Sequence, residues 1–351
     1  MPGMSDQETQ MPVPLHAHLP ENAPDLLNWV DLQTDDLRVR VLNYGAVTAH
    51  CDLWSGSEWV PMILGYQDMQ SYLGDPFYLG AIVGRVANRV GAAQMKLGGQ
   101  VVHLVPNEGQ NQLHGGAQGL GRVFWELDQV TARSARLRHV SPHGANGYPG
   151  EAEFVVTIAL QGRTVTYDMT VTVDRPTPIN LAQHNYYTLG HGAGIWEHVL
   201  RSDARQYLQL DADGVPTGHI CDVEGTRYDF RRGLSFARLD PERRGSDIHV
   251  IFADREQGLR DVAQLRAPSD IGLTLRSDQP GAQIYTAGSL ESAVTGRGGQ
   301  KLRPFSALCI EPQGYPDAPN HPHFPSIMVT PESPYQQRLE LVLETGMAGV
   351  A

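Results

Sequence analysis

Arg163-Thr164-Val165-Thr166-Tyr167-Asp168-Met169-Thr170-Val171-Thr172-Val173-Asp174 is the stretch whose pattern decides the fold class. Val165, Tyr167, Met169, Val171 and Val173 alternate with Thr164, Thr166, Asp168, Thr170 and Thr172. Successive side chains of a strand point to opposite faces, so a sustained period of two predicts a strand with one buried face. Residues 135–140, 153–160, 271–276 and 338–343 also read as strands. From about Leu26 onward, short apolar runs recur between Gly, Pro, Asn and Asp. Helical periodicity is nearly absent; the best short helix lies around 68–73, before the Gly74-Asp75-Pro76 turn. With 37 Gly and 24 Pro in 351 residues, the chain has room for many short strands and little for long helices. No repeat and no dividing linker is visible. The expected architecture is all-β, one large antiparallel β-sandwich domain over 26–345, with an N-terminal arm over 1–25 and a C-terminal tail over 346–351.

Composition narrows the function. Against 39 Asp and Glu stand 27 Lys and Arg, a formal net charge of −12, which argues against nucleic acid as a partner. Charged residues at 19% and hydrophobic residues at 41% fit neither a disordered nor a membrane profile. No apolar run approaches the ~18 residues of a membrane span. The start, Met1-Pro2-Gly3-Met4-Ser5-Asp6-Gln7-Glu8, lacks the basic and apolar regions of a signal peptide. Cys51, Cys221 and Cys309 are too few and too scattered for a disulfide framework, so a cytoplasmic location is expected.

Three regions concentrate polar residues suited to chemistry. The first runs from Gly84-Arg85-Val86-Ala87-Asn88-Arg89 through Asn107-Glu108-Gly109-Gln110-Asn111-Gln112-Leu113-His114-Gly115-Gly116 to Gly119-Leu120-Gly121-Arg122-Val123-Phe124-Trp125. An Asn-Arg pair beside a glycine turn offers planar donors to hydroxyls or a carboxylate. His114 precedes two glycines, where backbone can approach a ligand closely. The second is Asn180-Leu181-Ala182-Gln183-His184-Asn185-Tyr186-Tyr187-Thr188-Leu189; if extended, it puts His184 and Tyr186 on one face. The third is Ala307-Leu308-Cys309-Ile310-Glu311-Pro312-Gln313. A carboxylate ending an apolar strand is costly unless paired or functional. Cys309 shares its face by parity and reads as a small neutral packing residue. The 317–325 loop that follows is expected to be rigid. Taken singly, each of these residues also fits an ordinary turn or edge position. No strand-linked GxGxxG, P-loop or metal-ligand set is present, and the His16/His18 and His321/His323 pairs lack a partner motif, so no cofactor and no metal are expected.

Together the blocks resemble the aldose 1-epimerase family, also called galactose mutarotases. The resemblance rests on Gly84 to Arg89, Asn111 to Gly116, Asn146-Gly147-Tyr148-Pro149-Gly150 and Asn180 to Leu189. It continues with Val215-Pro216-Thr217-Gly218, Asp229-Phe230-Arg231, Asp247, Gln279-Pro280-Gly281-Ala282-Gln283-Ile284-Tyr285 and Glu311 to Asn320. All stand in the family's order and span roughly 26–345. Four places depart: His184-Asn185-Tyr186-Tyr187-Thr188-Leu189 replaces the common His-Ser-Tyr-Phe-Asn-Leu, and Asp247-Ile248-His249-Val250 the frequent Asp-His-Asn-Phe. Val215 stands for a Leu and Asn146 for an Asp. None removes a proton-transfer residue; they bear on which sugar is used.

The resemblance implies a galactose mutarotase-like supersandwich that interconverts the α and β anomers of a free aldose by ring opening and reclosure. It implies Glu311 as general base, His184 as general acid, and His114 as donor to the ring or anomeric oxygen. Asn88, Arg89, Asp247 and Gln283 would hold sugar hydroxyls, and Tyr186 would line the pocket. The implied partner is a monosaccharide, with no nucleic acid and no membrane, and the protein would be a monomer or homodimer. One alternative is a hexose-6-phosphate 1-epimerase, for which Arg85, Arg89 and Arg122 are the candidate phosphate ligands. Another is a non-catalytic sugar-binding or sensory module, which would be expected to lack Glu311 or His184. A polysaccharide lyase or hydrolase shares only the sandwich.

Overall fold

The computed structural model describes residues 18–253 and 258–346. Most of the expected arm and tail, and His16 of the first histidine pair, lie outside these residues. The described end of the arm forms a short helix, Ala23–Leu26, with a proline in its first turn. Ala23 packs with Tyr44 and Leu73, so this end docks onto the sandwich.

The alternating stretch becomes the strand Thr164–Val173, whose Val165, Tyr167, Met169 and Val171 are all fully buried. It pairs antiparallel with Ala152–Gln161 on one side and Tyr335–Glu344 on the other. These strands lie in the middle of a nine-stranded sheet. In spatial order it runs Glu126–Thr131, Ser134–Ser141, Ala152–Gln161, Thr164–Val173, Tyr335–Glu344, Gly272–Ser277, Arg260–Arg266, Val199–Ser202, Leu234–Ser235. All four further strands read from the sequence belong to this sheet.

A six-stranded antiparallel sheet faces it, in the order Tyr186–Tyr187, Leu308–Gln313, Gly281–Tyr285, Asp247–Ile251, Gln206–Leu210, Pro216–Asp222. Leu308, Ile310, Ala282, Ile284, Ile248 and Val250 from this sheet share one apolar cluster with Phe154, Tyr167, Met169, Leu339 and Leu341 of the large sheet. Each large side chain so buried contributes about 1.5–3 kcal/mol relative to exposure. A four-stranded sheet, from Trp29–Gln33 to Trp59–Pro61, adds Leu32, Leu37, Val39, Val41 and Leu53 to the same core.

The helix read at 68–73 is a 3-10 turn, Met69–Gly74, with the Asp68 carboxylate accepting from the Gln70 amide. It does not lengthen into an α-helix because Asp75 turns the chain away. Buried Asp75 accepts from the amides of Phe77 (3.0 Å) and Leu79 (2.6 Å) and from the Tyr66 hydroxyl. Among the described residues, no helix is long and apolar enough to cross a membrane.

Candidate active site

Strand parity decides what the six-stranded sheet shows on its other face. With Leu308, Ile310, Ala282, Ile284, Ile248 and Val250 committed to the core, their neighbours Cys309, Glu311, Gln283, Tyr285, Asp247 and His249 must point the opposite way. Register sets them in rows: Glu311 pairs with Gln283, which pairs with His249; Cys309 pairs with Tyr285, which pairs with Asp247. A cleft opens over this face. Its lining includes seven side chains singled out in the sequence, Asn88, Arg89, His114, His184, Asp247, Gln283 and Glu311, together with Tyr186. A second, more open cleft, lined by Arg201, Arg205, Arg231 and Asp261 among others, holds only partly or fully exposed ionisable groups.

Loops bring the remaining groups over the sheet. Arg89–Val90 pairs with Gln112–Leu113, which sets Asn88 beside His114. The His114 amide donates to the Asn88 carbonyl (3.1 Å), and the Asn88 amide donates to His114 Nδ1 (3.2 Å). A donor at Nδ1 leaves the neutral ring its proton on Nε2. Both residues have positive φ, 63° and 52°, a conformation L-residues seldom adopt and one that asparagine tolerates best. Gly115 makes this turn possible. At φ +82° it lies so close to the next loop that a Cβ there would sit 1.9 Å from the Gly84 carbonyl oxygen.

His184 lies between two two-residue strands, Ala182–Gln183 and Tyr186–Tyr187, rather than within one extended run. The chain still brings His184 and Tyr186 together: their rings stack with centroids 5.2 Å apart. His114 meets His184 edge to face at 5.3 Å, and Tyr78 packs on His114 at 4.8 Å. His184 Nε2 stands 3.7 Å from Glu311 Oε1, and Nδ1 stands 3.7 Å from Cys309 Sγ. Glu311 is 1% exposed and His184 5%, so the pair is almost removed from water. Burial lowers His184 to about 4 and holds His114 well below its ordinary value. Burial, then the neighbouring Asp247 charge, pushes Glu311 well above the usual carboxylate range. Both groups therefore favour their neutral forms. At 3.7 Å the carboxyl and the imidazole are neighbours without a direct hydrogen bond between them, and the neutral pair carries one acidic proton, on Glu311. Cys309, read as packing, does fill space beside Glu311, and it also touches the imidazole. Burial keeps its thiol protonated by raising it well above normal. His184, Cys309 and Glu311 bring one ligand atom each within 4.8 Å of one another. A cation there would have to displace the protons that burial holds on the thiol and the carboxyl.

Around this pair sit groups suited to hydroxyls. Asp247 accepts from Gln283 Nε2 (2.6 Å) and from Arg89 Nη1 (3.4 Å). Buried Gln283 Oε1 and Glu311 Oε2 have no hydrogen-bond partner in the protein. The Asn88 carboxamide oxygen is used internally, accepting from the Arg89 amide at 2.8 Å. The Tyr186 hydroxyl donates to the Phe77 carbonyl at 2.9 Å, so its ring face and edge line the wall.

The alternative phosphate ligands do not converge here. Buried Arg85 donates to Ser141 Oγ and to the carbonyls of Ser141, Pro142, Pro149 and Gly150, a structural use of the guanidinium. Arg122 stacks 4.3 Å from the Tyr78 ring centre and does not line the cleft. In the 317–325 loop, His321 and His323 turn their Nε2 atoms to the carbonyls of Pro216 (3.1 Å) and Gly218 (2.8 Å). Asp317 accepts from the Gly91 amide and from Asn320, tying that loop to the turn after Arg89–Val90.

The aldose 1-epimerase family model matches residues 29–342. A galactose mutarotase from Bos taurus is 32% identical over 314 residues, covering 87% of this chain and 90% of that one. The chain belongs to the aldose 1-epimerase family. An aldose 1-epimerase from Haemophilus influenzae is 31% identical, covering 87% of this chain and 91% of the relative. The solved structure of an aldose epimerase homologue from C. elegans superposes with a TM-score of 0.86 at 25% identity, covering 91% of this chain and 99% of that one.

Several lining residues of this aldose 1-epimerase were not singled out from sequence: Phe77, Tyr78, Glu108, Tyr285 and Ser289. Glu108 and Tyr285 lay inside quoted blocks, but nothing in their spacing marked them. Phe77 and Tyr78 follow the Asp75 turn, and only the capture of their segment by Asp75 brings them to the cleft.

Burial also makes stability pH-dependent. Among the described residues, six histidines, His50, His114, His139, His184, His198 and His249, have lowered values, His249 to about 3 with neither ring nitrogen bonded. The unfolded chain takes up these protons near pH 6.5, and the folded chain resists them. Their contribution is thus present above 6.5 and lost as pH falls. Raised Asp75, Glu311 and Asp317 act in the opposite sense, because folded they are already protonated when the unfolded chain is not. Six outnumber three, and each uncancelled proton is worth about 1.4 kcal/mol per pH unit. The urea midpoint is expected to fall between pH 7 and 5, and His249→Leu to flatten that fall by about one proton. An identical slope in the variant would contradict the histidine origin.

Proposed function

We propose that this cleft interconverts the α and β anomers of a free aldose by proton transfer through Glu311 and His184. The observation that carries the reading is the buried carboxyl–imidazole pair at 3.7 Å, set under a cleft lined with hydroxyl-binding groups. Mutarotation needs one proton removed from the C1 hydroxyl and one delivered to the ring oxygen, with no net change. A carboxyl and an imidazole that carry one acidic proton between them suit this. With the acidic proton of the pair moved from Glu311 to His184, the ionised Glu311 takes the C1 hydroxyl proton as O1 forms the carbonyl; the C1–O5 bond breaks toward O5, and the protonated His184 gives its proton to O5, which returns both groups to their neutral forms. The aldehyde rotates about C1–C2, and both transfers run in reverse on the other face. An ordinary Glu near 4.3 is a weak base, and burial, which raises Glu311, makes its carboxylate a stronger one.

The His114 Nε2–H, fixed by the bond at Nδ1, is suited to donate to the ring or anomeric oxygen as charge develops. Asn88, Arg89, Asp247 and Gln283 would hold the hydroxyls, with Tyr186, Tyr78 and Tyr285 as apolar walls. We read the assembly as a monomer or homodimer. A reducing compartment, the cytoplasm, suits the three free cysteines.

Polarimetry of freshly dissolved α-anomers of galactose, glucose and a pentose is the test. Relaxation to the equilibrium rotation should accelerate in proportion to enzyme concentration. Faster turnover of glucose 6-phosphate than of any free sugar would replace this reading with the phosphate-sugar one.

A further inference from the structure

The guanidinium of Arg89 is not a free cation in the cleft. Its Nε donates to Glu108 Oε2 at 2.6 Å and its Nη2 to Glu108 Oε1 at 2.9 Å, a bidentate clamp. Its Nη1 donates to Asp247 Oδ2 at 3.4 Å. Gly214, at φ +76°, lies against the same group: a Cβ there would stand 2.9 Å from Nη1. Arginine has five N–H donors in a rigid fork. Three are engaged by the two carboxylates, which leaves two for a ligand. Arg89 and Glu108 both line the cleft, and the Arg89 side chain is 16% exposed. Counting formal charges at this end of the cleft, Arg89 gives +1 and Glu108 and Asp247 give −2, a sum of −1. Arg122 is held against Tyr78 outside the lining. The cleft therefore offers hydrogen bonds without offering net positive charge.

We propose that Glu108 is a specificity-determining residue: by clamping Arg89 it orients two N–H donors toward sugar hydroxyls and cancels the charge that would otherwise attract anionic sugars. This rests on the cleft being the aldose site. Neutral aldoses need only the donors. A uronic acid or a sugar phosphate brings a negative charge to a region whose sum is already negative, and like charge in a partly desolvated cleft is costly. Freed of the clamp, an arginine becomes a strong bidentate partner for a carboxylate or phosphate.

The test compares anomer exchange of galactose, galacturonate and glucose 6-phosphate by wild type and by Glu108→Gln, with thermal melts to confirm folding. Wild type should favour galactose over galacturonate by tenfold or more in kcat/KM. The variant should narrow that ratio about tenfold, through KM for the anionic sugar rather than through kcat. In wild type alone, raising the salt from 20 mM to 500 mM should narrow the same ratio, because screening weakens the repulsion. The salt series decides the matter if Glu108→Gln does not fold. An unchanged ratio in the variant, or a wild-type ratio near one that salt does not move, would overturn the assignment while leaving the aldose reading intact. Absence of accelerated exchange on galactose itself would instead remove the reading on which the proposal rests.

Discussion

Glu311→Gln should lower kcat/KM for anomer exchange by about 10²–10⁴-fold, equivalent to roughly 3–5 kcal/mol of barrier. The substitution keeps the shape and removes the group proposed to accept a proton from the C1 hydroxyl. It should cost the fold little. Glu311 is 1% exposed, and its Oε2 has no partner in the protein, so an ionised form is expensive where it stands. An amide of the same size avoids that expense, and the melting temperature is expected to stay or rise. Arg89, Asp247 and Gln283 remain in place, so sugar binding should persist while turnover is lost. Circular dichroism melts and isothermal titration alongside polarimetry separate these effects. Near-wild-type rates in the folded variant would make another group the base. His184→Asn is the companion change; it removes the proposed second proton carrier, and near-wild-type exchange in that variant would exclude His184 from the proton transfer.

The second large effect is expected far from any proton transfer. Gly115→Ala places a methyl group 1.9 Å from the Gly84 oxygen, 2.3 Å from its carbonyl carbon and 2.5 Å from the Arg85 nitrogen. All three are backbone atoms, which cannot rotate aside. The residue also stands at φ +82°, a region that favours glycine. Overpacking and backbone strain together should cost on the order of 3–5 kcal/mol. The segment that must shift carries His114 on one side and the Gly84-Arg85 approach to Asn88 on the other. Loss of stability and of activity should therefore come together, unlike the separation expected for Glu311→Gln. A variant with wild-type urea midpoint and wild-type exchange would show that the loop is looser than its packing implies.

The sandwich was legible because its central strand carries its face in its own period. Thr164–Val173 needs no distant information to be read, and its neighbours Ala152–Gln161 and Tyr335–Glu344 show enough of the same alternation to follow. Glu311 and His184 were legible for another reason. A carboxylate within an apolar strand and a histidine in a polar block are chemically out of place, and the family resemblance gave both a use. What the residues alone could not supply was long-range register. That Gln283 stands opposite Glu311, and Asp247 opposite Tyr285, depends on pairing between segments dozens of residues apart. Parity placed Cys309 beside Glu311 but not against His184, because the histidine arrives from a different segment, between two short strands. Arg85 shows the converse. As a free cation in sequence it was a fair phosphate ligand; folded, its donors are taken by carbonyls that only the 141–150 turn brings near. Glu108 gave no signal at all, since its meaning lies in a clamp on a residue nineteen positions earlier.

The most direct test is magnetisation exchange by NMR between the α and β anomer signals of galactose at equilibrium, with wild-type protein added in increasing amounts. The expected result is a cross-exchange rate that rises linearly with enzyme and falls to the buffer value with Glu311→Gln. Sugar signals that broaden or shift on binding while the anomers exchange no faster than in buffer would contradict the account and leave a sugar-binding protein in its place.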